Sequence, residues 1–290
     1  MPSLIQKKSF LIFILVSLSS FQLIYSFLFP SVGISESWQK VETYLPKFSV
    51  ETQDKSLLSK FLPIISSEYR LNSDVSHYLE TGRYFNAEFF ENSPVLSRPI
   101  YPFLIFLSSM PFSPFIGSSY GIIFAFAIAV NFILLTAGVI LFFLMLKKIF
   151  SLKTAFLSSI LLIFSPFAHT ALVQPRADMF GLFSVILSIY LLQEYGLKPS
   201  KSKLILFSFI IGLLLLGKML LAISFFMLIL ALYFRRYKEG AVFLAVHLIP
   251  AALWYLWVTQ VWRISFYVHE VNYYQGDSLL YIFSWPWYKV

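Results

Sequence analysis

YGIIFAFAIAVNFILLTAGVILFFLML, residues 120–146, is an apolar run without a single charge, closed by Lys147 and Lys148. At about 1.5 Å per residue, a helix of this length exceeds the ~30 Å hydrocarbon core of a bilayer. Lipid offers no water to take up unpaired backbone N–H and C=O groups, so such a run spans as a helix. The rest of the chain has the same character: of 290 residues, 58% are hydrophobic and 12% charged, with a mean hydropathy of +0.76. These values lie outside the soluble range and predict an all-α polytopic membrane protein. The net charge of +8 does not point to nucleic acid, because Lys and Arg fall in short clusters between apolar runs and there report topology. With no cysteine in the chain, disulfides, thiolate chemistry and cysteine metal sites are excluded.

On the N-terminal side, Lys7 and Lys8 precede an apolar run over 10–29, close to the ~20 residues that a span requires. A signal peptide has a shorter apolar region and a small-residue cleavage site, and FLFPSVG at 27–33 supplies none. The run therefore reads as a retained first helix. On the C-terminal side, 154–167 leads out to the link HTALVQPRAD (169–178), and 179–192 returns to Lys198, Lys201 and Lys203. The runs 204–216 and 220–234 read as a short hairpin turning near Gly217 and Lys218, and 241–259, with Pro250 inside it, reads as the last span. The expected organisation is one membrane domain over 1–290. Residues 9–30 form the first span, 31–118 an external loop with short interfacial helices, 119–259 the second to seventh spans, and 260–290 an external tail. PWYKV (286–290) reads as the start of a further helix. The excess of Lys and Arg before the first span and in the loops after the second, fourth and sixth spans puts the N-terminus inside and the C-terminus outside.

The hydrophilic segment 31–98 has no positive bias: Glu36, Glu42, Glu51, Asp54, Glu68, Asp74, Glu80, Glu88 and Glu91 outnumber its Lys and Arg. Within it, ESWQKVETYL (36–45), DKSLLSKFLPII (54–65) and the stretch 74–90 carry apolar residues at helical spacing and read as short amphipathic helices on the membrane surface. Asn72 or Ser73 is placed to cap the last of these. Residues 99–116, broken by Pro102, Pro111 and Pro114, read as a dipping or interfacial segment.

A lone carboxylate in a loop is usually a solvated charge, but Asp74, with His77, Tyr78, Arg83 and Arg98, lies on the face opposite the Lys/Arg clusters. That is where a membrane enzyme holds a reactive group beside a lipid substrate. Arg176, Asp178, Lys218 and His269 fall on the same side, and ionisable groups at membrane depth are functional candidates by default. Arg176 and Asp178 can instead pair locally at a helix start, where the positive helix end favours Asp178. Lys218, in GLLLLGKML (212–220), has no acidic neighbour in sequence and must snorkel to the interface or meet an anion. Arg98, Arg176 and Lys218 together suit a lipid phosphate. A carboxylate near such cations can take the proton of an attacking hydroxyl while they hold charge on a phosphate leaving group. No GxGxxG, Walker, HExxH or GxSxG motif occurs, and His77, His169, His247 and His269 lack metal-ligand spacing.

Asp74 with Tyr78 four residues on, GRYF (82–85) and SRPIYPFL (97–104) ahead of a long span resemble the first external loop of the GT-C glycosyltransferases. That superfamily includes the dolichyl-phosphate-mannose protein mannosyltransferases and the aminoarabinose transferase-like membrane enzymes. QPRADMFGLFSVILSIYLL (174–192) is similar to the family's turn into the fourth span. GLLLLGKML is similar to its Gly-Leu-rich segment, and VHEVNYYQ (268–275) with WPWYKV (285–290), more loosely, to its later external segment. The resemblance implies a GT-C-like module of about seven transmembrane helices and a glycosyltransferase that uses a polyprenyl-phosphate-linked sugar donor. Its acceptor would be a glycan, lipid or protein. Asp74 falls at the position of the family's first-loop catalytic aspartate and is the expected general base. His77, Tyr78, Arg83, Arg98, Arg176, Asp178, Lys218 and His269 are the expected substrate-binding residues. Many members have Asp-Glu where this chain has Asp74-Val75, so a divalent metal stays open, and the sequence shows no other cofactor. The expected location is a bacterial inner (plasma) membrane with the active face outside. The rival expectation is a transporter or lipid flippase, for which inverted repeats are expected and none is visible, or an inactive assembly subunit.

Overall fold

The computed structural model describes residues 4–28, 73–91, 93, 95–112, 120–217 and 235–265, and among them every regular element is helical. In chain order these are α1 (Leu4–Leu28), α2 (Ser73–Arg83), α3 (Ala87–Glu91), α4 (Ile100–Ser109, extended by a 3-10 turn at Met110–Phe112) and α5 (Tyr120–Leu146). There follow α6 (Leu152–Ile163), α7 (Pro166–Val173), α8 (Asp178–Leu197), α9 (Lys201–Leu215) and α10 (Tyr237–Leu256), which runs on into a π-helical turn at Trp257–Val261. Four helical stretches are long and apolar enough to cross a membrane: 9–26, 122–146, 178–197 and 237–261. A fifth is reached if α6 and α7, bent by 49° at their junction, are counted as one span. The protein is a membrane protein that is all-helical among the described residues. Of the seven expected spans, α9 is a helix of only fifteen residues, and 220–234 lies outside the described residues. So do the two amphipathic segments at 36–45 and 54–65, Asn72, and the tail beyond 265.

Two sequence expectations need correction. The stretch 74–90 is two helices, not one: α2 ends at Arg83, and α3 is started by Asn86, whose Oδ1 accepts from Phe89 N at 3.2 Å. An Asn that bonds a nearby backbone N–H favours a fresh start over continuation. The link 169–178 is largely helical, because α6 stops at Ile163 and α7 occupies 166–173. Pro166 cannot donate back to α6, while Ser165 accepts from Ala168 N at 3.1 Å and Pro166 fits the first turn of the new helix. Within the segment 99–116, α4 is helical over ten residues, a short apolar helix and not one of the spans. Pro102 falls within its first turn, where the N–H has no intrahelical partner to lose.

α5 is the central element. Ala127, Asn131, Leu135, Val139 and Phe143, every fourth residue, are all buried and form its inward stripe. α8 meets α5 at Gly138, where an added Cβ would stand 3.9 Å from Phe183 Cα and 3.7 Å from Ile186 Cδ1. Small side chains let the helix backbones approach closely where lipid provides no hydrophobic drive. α1 is mostly exposed or half-buried, and its buried stripe is Leu15, Ser19, Gln22 and Ser26. Ser26 Oγ and Gln22 Nε2 reach His169 Nδ1 on α7 at 2.8 and 3.3 Å. α9 packs along α10, where the buried His247 ring stacks on Phe243 at 5.1 Å. Phe243 belongs to the same helix, and α9 approaches this position through Gly212, where an added Cβ would run into the His247 backbone carbonyl.

The two ends of the bundle differ in chemistry. At one end Lys148 pairs with Glu194, Gln193 Nε2 donates to Met145 O at 3.4 Å, and Tyr195 Oη donates to Glu239 Oε2 at 2.7 Å. Arg236 meets the same Glu239 carboxylate at 3.3 Å. Lys147, Lys148, Lys198, Lys201, Arg235, Arg236 and Lys238 all belong to this end by their places at helix termini. The starts of α4 and α8 and the end of α9 lie at the other end.

Candidate functional site

At the end away from the lysines, four segments converge at the level of Asn131. Ile100, the first residue of α4, donates its N–H to Leu216 O at the end of α9, 3.3 Å away. Gly217, the next residue, lies against the Phe180 ring at the start of α8, and a Cβ added to Gly217 would overlap that ring. Only glycine permits this approach, so the chain that leads into Lys218 is held directly beside the turn that leads into α8. Trp254 on α10 donates its indole N–H to Leu96 O at 2.9 Å, which ties the 95–99 loop to the same end.

Asn131 joins the remaining parts. Its Oδ1 accepts from Tyr101 Oη at 2.7 Å, and its Nδ2 reaches Ala171 O, Leu172 O and Gln174 O at 3.0, 3.3 and 2.9 Å. These carbonyls lie at the C-terminal end of α7, where the last carbonyls of a helix have no intrahelical donor. Tyr101 is buried, and burial pushes its phenol well above its ordinary range, with Tyr78 and Asp178 adding to the rise. It therefore stays protonated and donates to Asn131. The Tyr78 ring meets Tyr101 edge-on at 5.4 Å, and both are fully packed. α2 is pressed onto α4 at Gly82, where an added Cβ would stand 2.8 Å from Ile105 Cγ2. Thr81, buried beside it, turns its hydroxyl back to His77 O at 2.6 Å.

The expected site residues fall into four groups. Tyr78, half-buried His77 and half-buried Arg98 lie on the segments that converge here, Arg98 with its N–H bonded to Val95 O at 2.8 Å. Arg176 and Asp178 lie on the turn that Asn131 holds, and they pair across 3.7 Å, each about one-third exposed. The local ion pair is thus present, with Asp178 opening α8 at its positive end. Arg83 stands apart: its guanidinium lies 4.6 Å over the exposed Tyr84 ring, which in turn stacks on Phe89. Asp74 is in the first turns of α2, four residues before Tyr78. Its side chain, like Lys218 and His269, lies outside the described residues.

Three contributors escaped the sequence reading. Asn131 was hidden inside the most apolar span, although an amide in such a run is itself a signal, since a buried polar group has to be hydrogen-bonded. Tyr101 and Gly217 carry no local signal, because their roles depend on partners far away in sequence. A further set, Phe85, Phe90, Trp254 and Trp262, forms an aromatic cluster with ring centroids between 4.9 and 6.4 Å. It braces the 84–98 loop against the end of α10. Among the described residues no group of three or more His, Cys, Asp or Glu is placed to hold a metal ion. No family model matches the chain, and neither a curated protein nor a solved structure matches it.

Proposed function

We propose that the protein is a GT-C-like membrane glycosyltransferase that moves a sugar from a polyprenyl-phosphate donor to an acceptor hydroxyl or amine, the acceptor being a glycan, lipid or protein. The observation that supports this reading best is the convergence at the Asn131 level. The helix that contains Asp74, the Arg98 loop, the Arg176–Asp178 turn and the chain entering Lys218 are packed together at one end of the bundle. Segments that lie between 24 and 144 positions apart in sequence gain such proximity only through the fold, and their residue types suit one reaction.

In that reaction the Asp74 carboxylate takes the proton of the acceptor hydroxyl as its oxygen attacks the anomeric carbon. The bond from that carbon to the phosphate oxygen breaks, and polyprenyl phosphate leaves with the electron pair. Arg176, Lys218 and Arg98 hold the charge that develops on it, and such preorganised cations contribute most at the moment the charge appears. One direct displacement inverts the anomeric centre. Tyr78, His77, Asp178 and Arg83, with His269 from the tail, are the residues proposed to bind and orient the substrates. The active face is external, in a bacterial inner (plasma) membrane. No metal-dependent step enters this scheme.

The test is incubation of membranes containing the chain with a panel of radiolabelled polyprenyl-phosphate sugars. Transfer of label together with release of polyprenyl phosphate, for at least one donor, is the expected result. Movement of the intact lipid between leaflets without cleavage would replace the enzyme by a flippase.

A further inference from the structure

Asn131 is a costly residue in its position. An amide placed in an apolar span loses several kcal/mol of hydration unless it is fully bonded, and here both ends are used. Its oxygen takes the Tyr101 hydroxyl, and its nitrogen reaches three carbonyls at the end of α7. One side of this node holds the turn that brings Arg176 and Asp178 into α8. The other side runs through Tyr101 to the edge of the Tyr78 ring on α2. Leu or Ala at either position would complete an apolar core with less polar cost, so packing alone does not account for the pair.

We propose that Asn131 and Tyr101 are a positioning pair that fixes the separation between α2, with Asp74, and the α7–α8 turn, with Arg176. This rests on the function proposed above. Neither residue touches the substrate. They set where the base and the phosphate-holding cation stand relative to each other. A donor bound at the cations needs the base within hydrogen-bond reach of the acceptor, and a misplacement of about 1 Å costs on the order of 10²-fold in rate. The pair therefore acts on turnover more than on donor binding.

The chain has no cysteine, so two spin labels can be attached at introduced cysteines without background. Labels at Glu80 on α2 and Thr170 on α7 report the separation in question. Tyr101→Phe keeps the ring against Tyr78 and removes only the hydroxyl. It is expected to broaden or shift the label distance and lower kcat by roughly 10- to 100-fold, with donor KM within about twofold of wild type. Asn131→Asp keeps an acceptor for Tyr101 and removes the donors to the α7 carbonyls, so it is expected to move the label on Thr170 and lower kcat likewise. If one variant fails to fold, the other carries the test. An unchanged label distance overturns the proposal, and so does a loss in which kcat falls only as far as folded protein falls. If the wild-type chain transfers no sugar, the proposed function fails while the label distance still decides whether the pair sets this separation.

Discussion

Replacing Gly82 by alanine separates a docked α2 from a free one by the sign of its effect. In an undocked helix, Gly→Ala stabilises by about 0.5–1 kcal/mol, because alanine loses less backbone entropy. In the docked arrangement the new methyl would stand 2.8 Å from Ile105 Cγ2, 2.9 Å from Ile105 Cβ and 3.5 Å from Pro102 O. Ile105 is fully buried and branched at Cβ, so it has no flexible end to swing away. α2 must back off by roughly half an ångström, and overpacking of this kind costs about 1–3 kcal/mol. The expected net result is destabilisation by about 1 kcal/mol or more, since the clash exceeds the entropy gain. Thermal unfolding of the purified protein in detergent measures it, and sugar transfer should fall in parallel because α2 carries Asp74. Ile105→Ala in the same background removes Cγ2 and should restore part of both. A raised unfolding temperature for Gly82→Ala alone would show that α2 does not lie against α4, and the site as described would come apart.

Arg176→Ala and Lys218→Ala should each raise donor KM, and Arg176→Ala should do so with little change in thermal stability because its side chain is about one-third exposed; unchanged KM in both would remove these cations from the site. Lys218→Arg is the sharper variant, since the guanidinium fork is directional where the ammonium is a point charge. A cysteine at Asn92 should react with an impermeant reagent in intact cells, and one at Lys201 only after permeabilisation. The reverse pattern would place the candidate site on the cytoplasmic face.

Composition and the length of α5 made the membrane class legible at once, and the bounds of that helix follow from where its apolar run begins and ends. The break between α6 and α7 was also written in the chain, as Ser165-Pro166, a cap followed by a residue that cannot continue a helix. The apolar run continues through it, so hydropathy alone does not mark the break. Asn86 ends the stretch after α2 in the same way, through a side-chain cap that periodicity does not show. The candidate site was legible as residue types on one side of the membrane but not as contacts. Tyr78 meets Tyr101, Tyr101 meets Asn131 and Asn131 meets Gln174 only when four helices pack. The fit of Gly217 to Phe180 likewise depends on α8 and α9 meeting at their ends.

The central claim is that Asp74 accepts a proton during transfer from a lipid-linked sugar. Asp74→Asn keeps the size and most of the hydrogen-bonding capacity of the side chain but cannot take the proton. The measurement is sugar transfer in membranes at matched protein level, with Glu80→Gln and Glu88→Gln as controls from the same segment. Loss of a general base typically costs about 10² to 10⁴ in rate, so Asp74→Asn should fall into that range while both controls stay near wild type. Turnover by Asp74→Asn above about a tenth of wild type, well short of that loss, would contradict the assignment.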